Sequence, residues 1–293
     1  MNRIKIMTDS ASDIPKELEE QYNIRILSFP VTVEDKGYLE RVDFTNEEFY
    51  EILQNTSKIP TTAQITVFQF EEEYKAFYEE GYEELIYISI YSGGSSTHDN
   101  AEMARSRFYD AHPEAKDHFK IHIVDSKTYT MAYGYPVIEA AKKAARGASS
   151  TEIVAYLEDW FDSVEIYFAP YTLEFVKKSG RVPAAAAFVG ELIGLRPIIS
   201  IIDGETKVIE KVRGDKAILP ALFQRAAEGM IPQTPYLLVR STKNNECAEL
   251  ASMFKKRVGY DPIGQYDIGA AISINAGPKV VGVIVKGQNR RRK

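Results

Sequence analysis

Cysteine is almost absent from this chain: Cys247 is the one example in 293 residues. A lone cysteine excludes an internal disulfide, and its place in the helical pattern NNECAELASMFKKR points to a buried structural thiol rather than a nucleophile. Histidine is scarce as well, and His98, His112, His118 and His122 show no ligand spacing, so no metal site is expected. Glycine is missing where nucleotide chemistry would need it. The first strand-to-helix turn, TDSASDIP, contains none, which removes the G-x-G-x-x-G dinucleotide fingerprint, and no G-x-x-x-x-G-K-[ST] occurs anywhere. The segment YSGGSSTH lacks the closing glycine of the G-x-S-x-G nucleophile elbow. No cofactor is therefore expected.

Long apolar runs are lacking too. No stretch approaches the roughly 20 apolar residues of a spanning helix, and MNRIKIMTDS has no apolar core of signal-peptide length, which sets the expectation of a cytoplasmic protein without membrane insertion. The net charge of −6 and a pI near 5.5 argue against a nucleic-acid surface, and the terminal NRRRK reads as a solvated tail.

What is present has the balance of a folded protein, 44% hydrophobic and 27% charged, and 293 residues suit two domains. The first half alternates strand and helix. RIKIMTD reads as a strand, residues 13–21 as a helix, and NIRILSFPVTV as a second β run. Thr45 with Glu48 three residues on marks a helix start, running to residue 54. A helix over 67–80, the strand LIYISIY, a helix over 101–111, the strand KIHIVDS and a helix over 133–146 closed by Gly147 follow. Strands separated by such helices predict an open parallel sheet covered on both faces.

The second half differs. The helix STEIVAYLEDWFDS, the strand EIYFAP, the turn KKSGRVP and an alanine-rich helix over 184–193 lead to RPIISIIDGETKVIEKVR, where Asp203-Gly204 signals a hairpin. A helix, the strand YLLVRST, the helix around Cys247 and a β pair formed by GAAISINAG and VVGVIVKG close the chain. The fold class expected is α/β, an N-terminal open parallel-sheet domain over 1–150 and a C-terminal α+β domain over 151–293, with the boundary approximate.

In open parallel sheets, ligands lie beyond the carboxyl ends of strands, where helix-start NH groups favour anions. SGGSST follows LIYISI, DSKT follows KIHIV, and IPTTAQIT adds Thr61 and Thr62. These hydroxyls suit a carboxylate or phosphate, with Arg181, Arg213 or Lys127 as nearby cations. Taken singly, Thr61, Thr62, Ser95 and Ser96 also read as helix caps, and Arg181 as a solvated turn cation.

Taken together, the segments have a familiar order. MTDSASDIP resembles the T-D-S-x-x-D-[IL]-P opening of the DegV family of bacterial fatty-acid-binding proteins. IPTTAQIT, IYSGGSSTHDNA, IVDSKT, LEFVKKSGRV, LIGLRPIISIIDGE and DIGAAISINAGPKVVGV are similar to later blocks of that family, in family order across nearly the whole chain. The resemblance implies two domains holding one long-chain fatty acid, its tail in an apolar tunnel, its carboxylate on Thr61, Thr62 and Ser95 with Ser96 beside them and Arg181 close by. It also implies, for some members, presentation of the carboxylate to a separate fatty acid kinase. The chain departs from the pattern at Ala63, at Tyr91 in place of a serine, at Gly94-Ser95-Ser96-Thr97, at Asn275 in place of a histidine, and at Lys279. Tyr91 is expected to narrow or reshape the pocket mouth, and Asn275 offers the head group a hydrogen bond but no cation. Two readings compete with non-catalytic lipid binding: an acyl- or phosphoryl-processing enzyme using Ser95, and a binder of another small anion.

Overall fold

The computed structural model describes residues 3–181, 194–241 and 245–288. In chain order the elements are β1 (Ile4–Asp9), α1 (Lys16–Gln21), β2 (Arg25–Leu27), β3 (Pro30–Val33), β4 (Lys36–Leu39), α2 (Asn46–Asn55), β5 (Thr61–Thr62) and α3 (Val67–Glu79). Next come β6 (Glu84–Ser89), α4 (Thr97–Ala111), β7 (Lys120–Asp125), α5 (Met131–Ala145), α6 (Ser150–Phe161), β8 (Val164–Pro170) and α7 (Glu174–Ser179). The chain closes with β9 (Leu195–Ile202), β10 (Glu205–Arg213), α8 (Ile218–Gly229), β11 (Tyr236–Arg240), α9 (Glu246–Val258), β12 (Gln265–Asp267), α10 (Ala270–Ala276) and β13 (Val280–Lys286). The alanine-rich helix expected over 184–193 lies outside the described residues.

Local signals account for many of these boundaries. Thr45 with Glu48, Thr66 with Gln69 and Ser149 with Glu152 each form a reciprocal capping box at the starts of α2, α3 and α6, satisfying donors that a helix start leaves orphaned. At the β9–β10 turn, Asp203 and Gly204 take φ of 53° and 75°, the left-handed pair that a two-residue hairpin requires.

The strands form a parallel sheet in the order β2-β1-β6-β7, a six-stranded sheet in the order β10-β9-β8-β13-β11-β12, and a small antiparallel sheet β4-β3-β5. The first is the expected open parallel sheet; all six residues of β6 are buried, as a strand covered on both faces requires. The six-stranded sheet is antiparallel except where β11 meets β12. Its two faces separate by strand alternation. Ile166, Phe168, Ile199, Ile201, Val239 and Ile284 join the core shared with the parallel sheet, whereas Tyr167, Ala169, Leu238, Val281 and Val283 pack with Leu222 of α8 and Leu250 and Phe254 of α9. Cys247 sits in that second core, fully buried, its Sγ 3.8 Å from the carbonyl of Val239, with burial pushing the thiol up to about 11. A structural thiol is what the sequence led us to expect.

Two segments differ from their sequence reading. NIRILSFPVTV is two strands in two sheets rather than one run, because the chain leaves the ladder at Phe29. The NH of Phe29 donates to the Ser10 hydroxyl at 2.9 Å, and Pro30 has no NH to continue the pairing. GAAISINAG is the helix α10 and not a strand. Its buried positions, 270, 271, 273 and 274, follow the helical period, and the NH groups of Gly269 and Ala271 donate to the buried carboxylates of Asp13 (2.7 Å) and Glu40 (2.9 Å). VVGVIVKG therefore pairs with β8 and β11 instead.

Gly269 shows how tightly α10 is seated: a methyl group there would lie 2.5 Å from Glu40 Oε1 and 2.9 Å from Asp13 Oδ1. Gly269→Ala is expected to destabilise the protein by about 2 kcal/mol in urea unfolding through overpacking of this site. Gly37→Ala, with no atom within 4 Å of the added carbon, should change stability by less than about 0.5 kcal/mol in the same assay.

Candidate functional site

In the parallel sheet, β1 connects to β2 on one side while β6 and β7 lie on the other, so the strand order reverses between β1 and β6. The crevice beyond their carboxyl ends is where such a sheet accommodates ligands. Asp9 ends β1 and locks this crevice. Its Oδ2 accepts from the NH of Ile90 at 2.9 Å and the hydroxyl of Tyr87 at 3.0 Å, and its Oδ1 accepts from the Tyr133 hydroxyl at 2.6 Å. Asp125, ending β7, holds the next turn: its oxygens accept from the NH and hydroxyl of Ser92 at 3.1 and 2.6 Å and from the NH of Lys127 at 3.0 Å. The DSKT segment thus props the glycine turn from behind. Lys127 faces Asp203 at 3.8 Å rather than offering a cation to a ligand.

A cavity of about 860 Å³ opens where the β6–α4 turn, β5, α10 and the inner face of the six-stranded sheet meet, within the roughly 300–1,000 Å³ typical of small-molecule sites. Its floor is buried and apolar: Phe29, Ile90, Ile166, Phe168, Ile201 and Val239, closed by Ile268 and Val280. Its rim is exposed and polar, carrying Gln64, Ser96, Arg181 and Glu205. The cavity therefore has a dry end and a wet end.

Of the residues singled out from sequence, Thr62, Ser95, Ser96, Arg181 and Asn275 all line this cavity, although Asn275 is 180 positions from Ser95. Thr61 does not line it; Thr61 and Thr62 form β5, paired with Thr32 and Val31, and neighbouring strand residues face opposite ways. These threonines are strand residues, not caps. Ser95 donates to Thr97 Oγ1 at 3.0 Å, and that same oxygen accepts from the NH of Ile65 at 3.2 Å. Ser96 starts α4 without a side-chain cap bond. Arg181 Nε reaches the carbonyl of Gly94 at 3.5 Å, and its own carbonyl accepts from Thr206 Oγ1 at 2.8 Å. Asn275 Nδ2 donates back to the Ala271 carbonyl at 2.9 Å. Lys279 lies away from the lining, paired with Glu246 at 3.2 Å and over the Tyr171 ring. His98 bonds Ser89 Oγ at 2.9 Å, not Ser95, so no base sits against the Ser95 hydroxyl among the described residues.

Sequence reasoning missed several parts of the wall. Tyr129, Thr130 and Thr206 carried no positional signal, and Ala271, Ile272 and Ala276 enter only because α10 is a helix. Glu40 was missed altogether. Glu40 accepts from Ser10 and from Ala271, and with Asp13 it fixes the start of the helix that carries Asn275. Burial raises the pKa of Asp13 and of Glu40, in Asp13's case well above the ordinary range with Glu40's charge adding to the shift. Burial also lifts Asp9, against the pull of its hydrogen-bond donors, to about 6.

The chain matches the family model described as "Uncharacterised protein, DegV family" over residues 3–287. It is 32% identical to a DegV domain-containing protein of Clostridium perfringens over 96% of this chain and 97% of that one. Among solved structures, it superposes on a DegV family protein of Thermus thermophilus, described as binding fatty acid, with a TM-score of 0.82 and 26% identity, covering 97% and 99% of the two chains. A stearic-acid-binding protein of Eubacterium ventriosum shares the fold with a TM-score of 0.86 at 20% identity and full coverage of both chains. An α/β protein with a parallel sheet and a separate, largely antiparallel sheet is what the fold defines. The chain belongs to the DegV family.

The raised carboxylates give a pH dependence of definite sign. A carboxyl group whose folded pKa exceeds its unfolded value stabilises the fold fully below the unfolded value and loses that contribution as pH rises through the folded one. For Asp9, moving from 3.8 to about 6, the loss amounts to about 3 kcal/mol between roughly pH 4 and pH 7. Asp9→Asn should flatten this part of the slope, so thermal melts of both proteins at pH 4.5 and 7.5 should show the larger fall between the two for the wild type.

Proposed function

We propose that this protein binds one long-chain fatty acid without transforming it, the acyl tail in the apolar floor of the cavity and the carboxylate at its polar rim. The observation that carries this reading is the cavity's polarity: buried Ile166, Phe168, Ile201, Val239 and Val280 at one end, Thr62, Ser95, Ser96, Arg181 and Asn275 at the other. The fatty-acid-binding relative of Thermus thermophilus, alike over nearly the whole chain, supports the same ligand class. Burial of an alkyl chain contributes about 0.8 kcal/mol per CH₂, so a long tail supplies the affinity and offsets the costs of association. The hydroxyls, amide and guanidinium then set which way round the molecule enters.

A Ser95-based enzyme is the less favoured reading, because among the described residues no base meets the Ser95 hydroxyl and the nearest histidine in sequence is engaged by Ser89. A fatty acid held in this way would leave its carboxyl at an exposed rim, open to a second protein such as a kinase acting on that group.

Lipid extracted from protein purified from bacteria should contain one long-chain fatty acid per chain by mass spectrometry. Recovery of only empty protein, even after incubation with palmitate or oleate, would overturn the reading. Ser95→Ala should weaken oleate binding about tenfold by titration, the loss of one hydrogen bond to a charged acceptor.

A further inference from the structure

The β6–α4 turn carries two adjacent glycines, Gly93 and Gly94, and neither adopts the left-handed backbone that commonly demands glycine. Their reason for being there is space. A methyl group on Gly93 would lie 2.4 Å from the Tyr91 ring, and one on Gly94 would lie 2.4 Å from the hydroxyl oxygen of Tyr129. A third glycine meets the same ring from the other side: a methyl group on Gly204, at the tip of the β9–β10 hairpin, would also come within 2.4 Å of Tyr91. The Tyr91 ring is thus flanked by two side-chain-free positions, one on the parallel-sheet side of the cavity and one on the six-stranded sheet. It meets Tyr129 edge to face, with centroids 6.0 Å apart and an interplanar angle of 85°. All five residues line the cavity.

Anchoring differs between the backbone and the side chain of Tyr91. Its NH donates to the Thr128 carbonyl at 3.2 Å, and its carbonyl accepts from Gly94 and Ser95 at 2.9 and 3.2 Å, so the main chain is fixed. The hydroxyl makes no hydrogen bond among the described residues, which leaves the ring held by packing on glycine and on one aromatic edge, a pair of the order of 1 kcal/mol. The partly buried ring can therefore move by changing rotamer while the main chain around it stays fixed. We propose that Tyr91 is the gate of this cavity: its ring bridges the glycine turn and the hairpin tip beside the head-group residues, and must swing aside for the fatty acid to enter or leave. The assignment rests on the fatty-acid reading above and adds to it the residue that sets the exchange rate.

The test is release of cis-parinaric acid from the loaded protein, chased with excess oleate and followed by fluorescence. Tyr91→Ser should release the probe roughly tenfold faster than wild type, since changes at one site act mainly on the dissociation rate. Tyr91→Phe, which keeps the ring and drops the hydroxyl, should match wild type. Gly93→Ala retains Tyr91 but displaces its ring, and should accelerate release as Tyr91→Ser does, with the double variant no faster than either alone. Release from Tyr91→Ser and Gly93→Ala within about twofold of wild type would overturn the gate while leaving fatty-acid binding intact. Should Tyr91→Ser lose its cooperative melt, Gly93→Ala and Tyr91→Phe decide the matter. A wild-type protein that takes up neither probe nor oleate overturns the fatty-acid reading itself, and the gate with it.

Discussion

Three carboxylates from the first 40 residues hold the structure around the cavity. Asp9 ties the end of β1 to the exit of β6 and to Tyr133 of α5, while Asp13 and Glu40 reach across 256 and 231 residues of sequence to the NH groups that open α10. Each is buried, and the donors that meet them offset much of the cost of burying a carboxylate, so these bonds matter to the fold in a way that surface ion pairs do not. The consequence is geometric. The glycine turn and the Asn275 helix, which lie far apart in the chain, are both referenced to the same short N-terminal segment, and both border the cavity.

That construction explains why charge is kept out of the floor. The surface ion pairs of this protein, such as Lys75 with Glu79 or Lys178 with Glu174, are exposed and contribute little. The costly polar groups are concentrated in the wall behind the ligand space, where they face backbone NH groups and tyrosine hydroxyls. The cavity floor receives the alternate face of a sheet instead, a row of β-branched and aromatic side chains with no polar group to offer.

Much of the frame was legible from sequence because local rules and tertiary structure agree there. The capping residues Thr45 and Glu48, the Asp203-Gly204 turn and the uninterrupted apolar run of β6 each specify one local outcome, and each takes it. Where the reading failed, a distant group decided. GAAISINAG alternates well enough for a strand, yet its first NH groups are claimed by Asp13 and Glu40, which no window around residue 270 contains. The break at Phe29 depends in the same way on Ser10. The cavity lining followed the same division: Thr62, Ser95, Arg181 and Asn275 could be singled out by motif, whereas Tyr129 and Thr206 enter through packing that has no sequence period.

The glycines of the β6–α4 turn have a cause that their sequence motif does not name. YSGGSST invites comparison with phosphate-binding loops, in which glycine lets the backbone approach an anion. Here the backbone at Gly93 and Gly94 is ordinary, and the missing side chains make room for two phenol rings. The same absence of a Cβ that would admit a phosphate in another fold admits an aromatic ring in this one. Glycine content therefore says only that something comes close, and the identity of the neighbour, Tyr91 or a ligand, has to be taken from the three-dimensional arrangement.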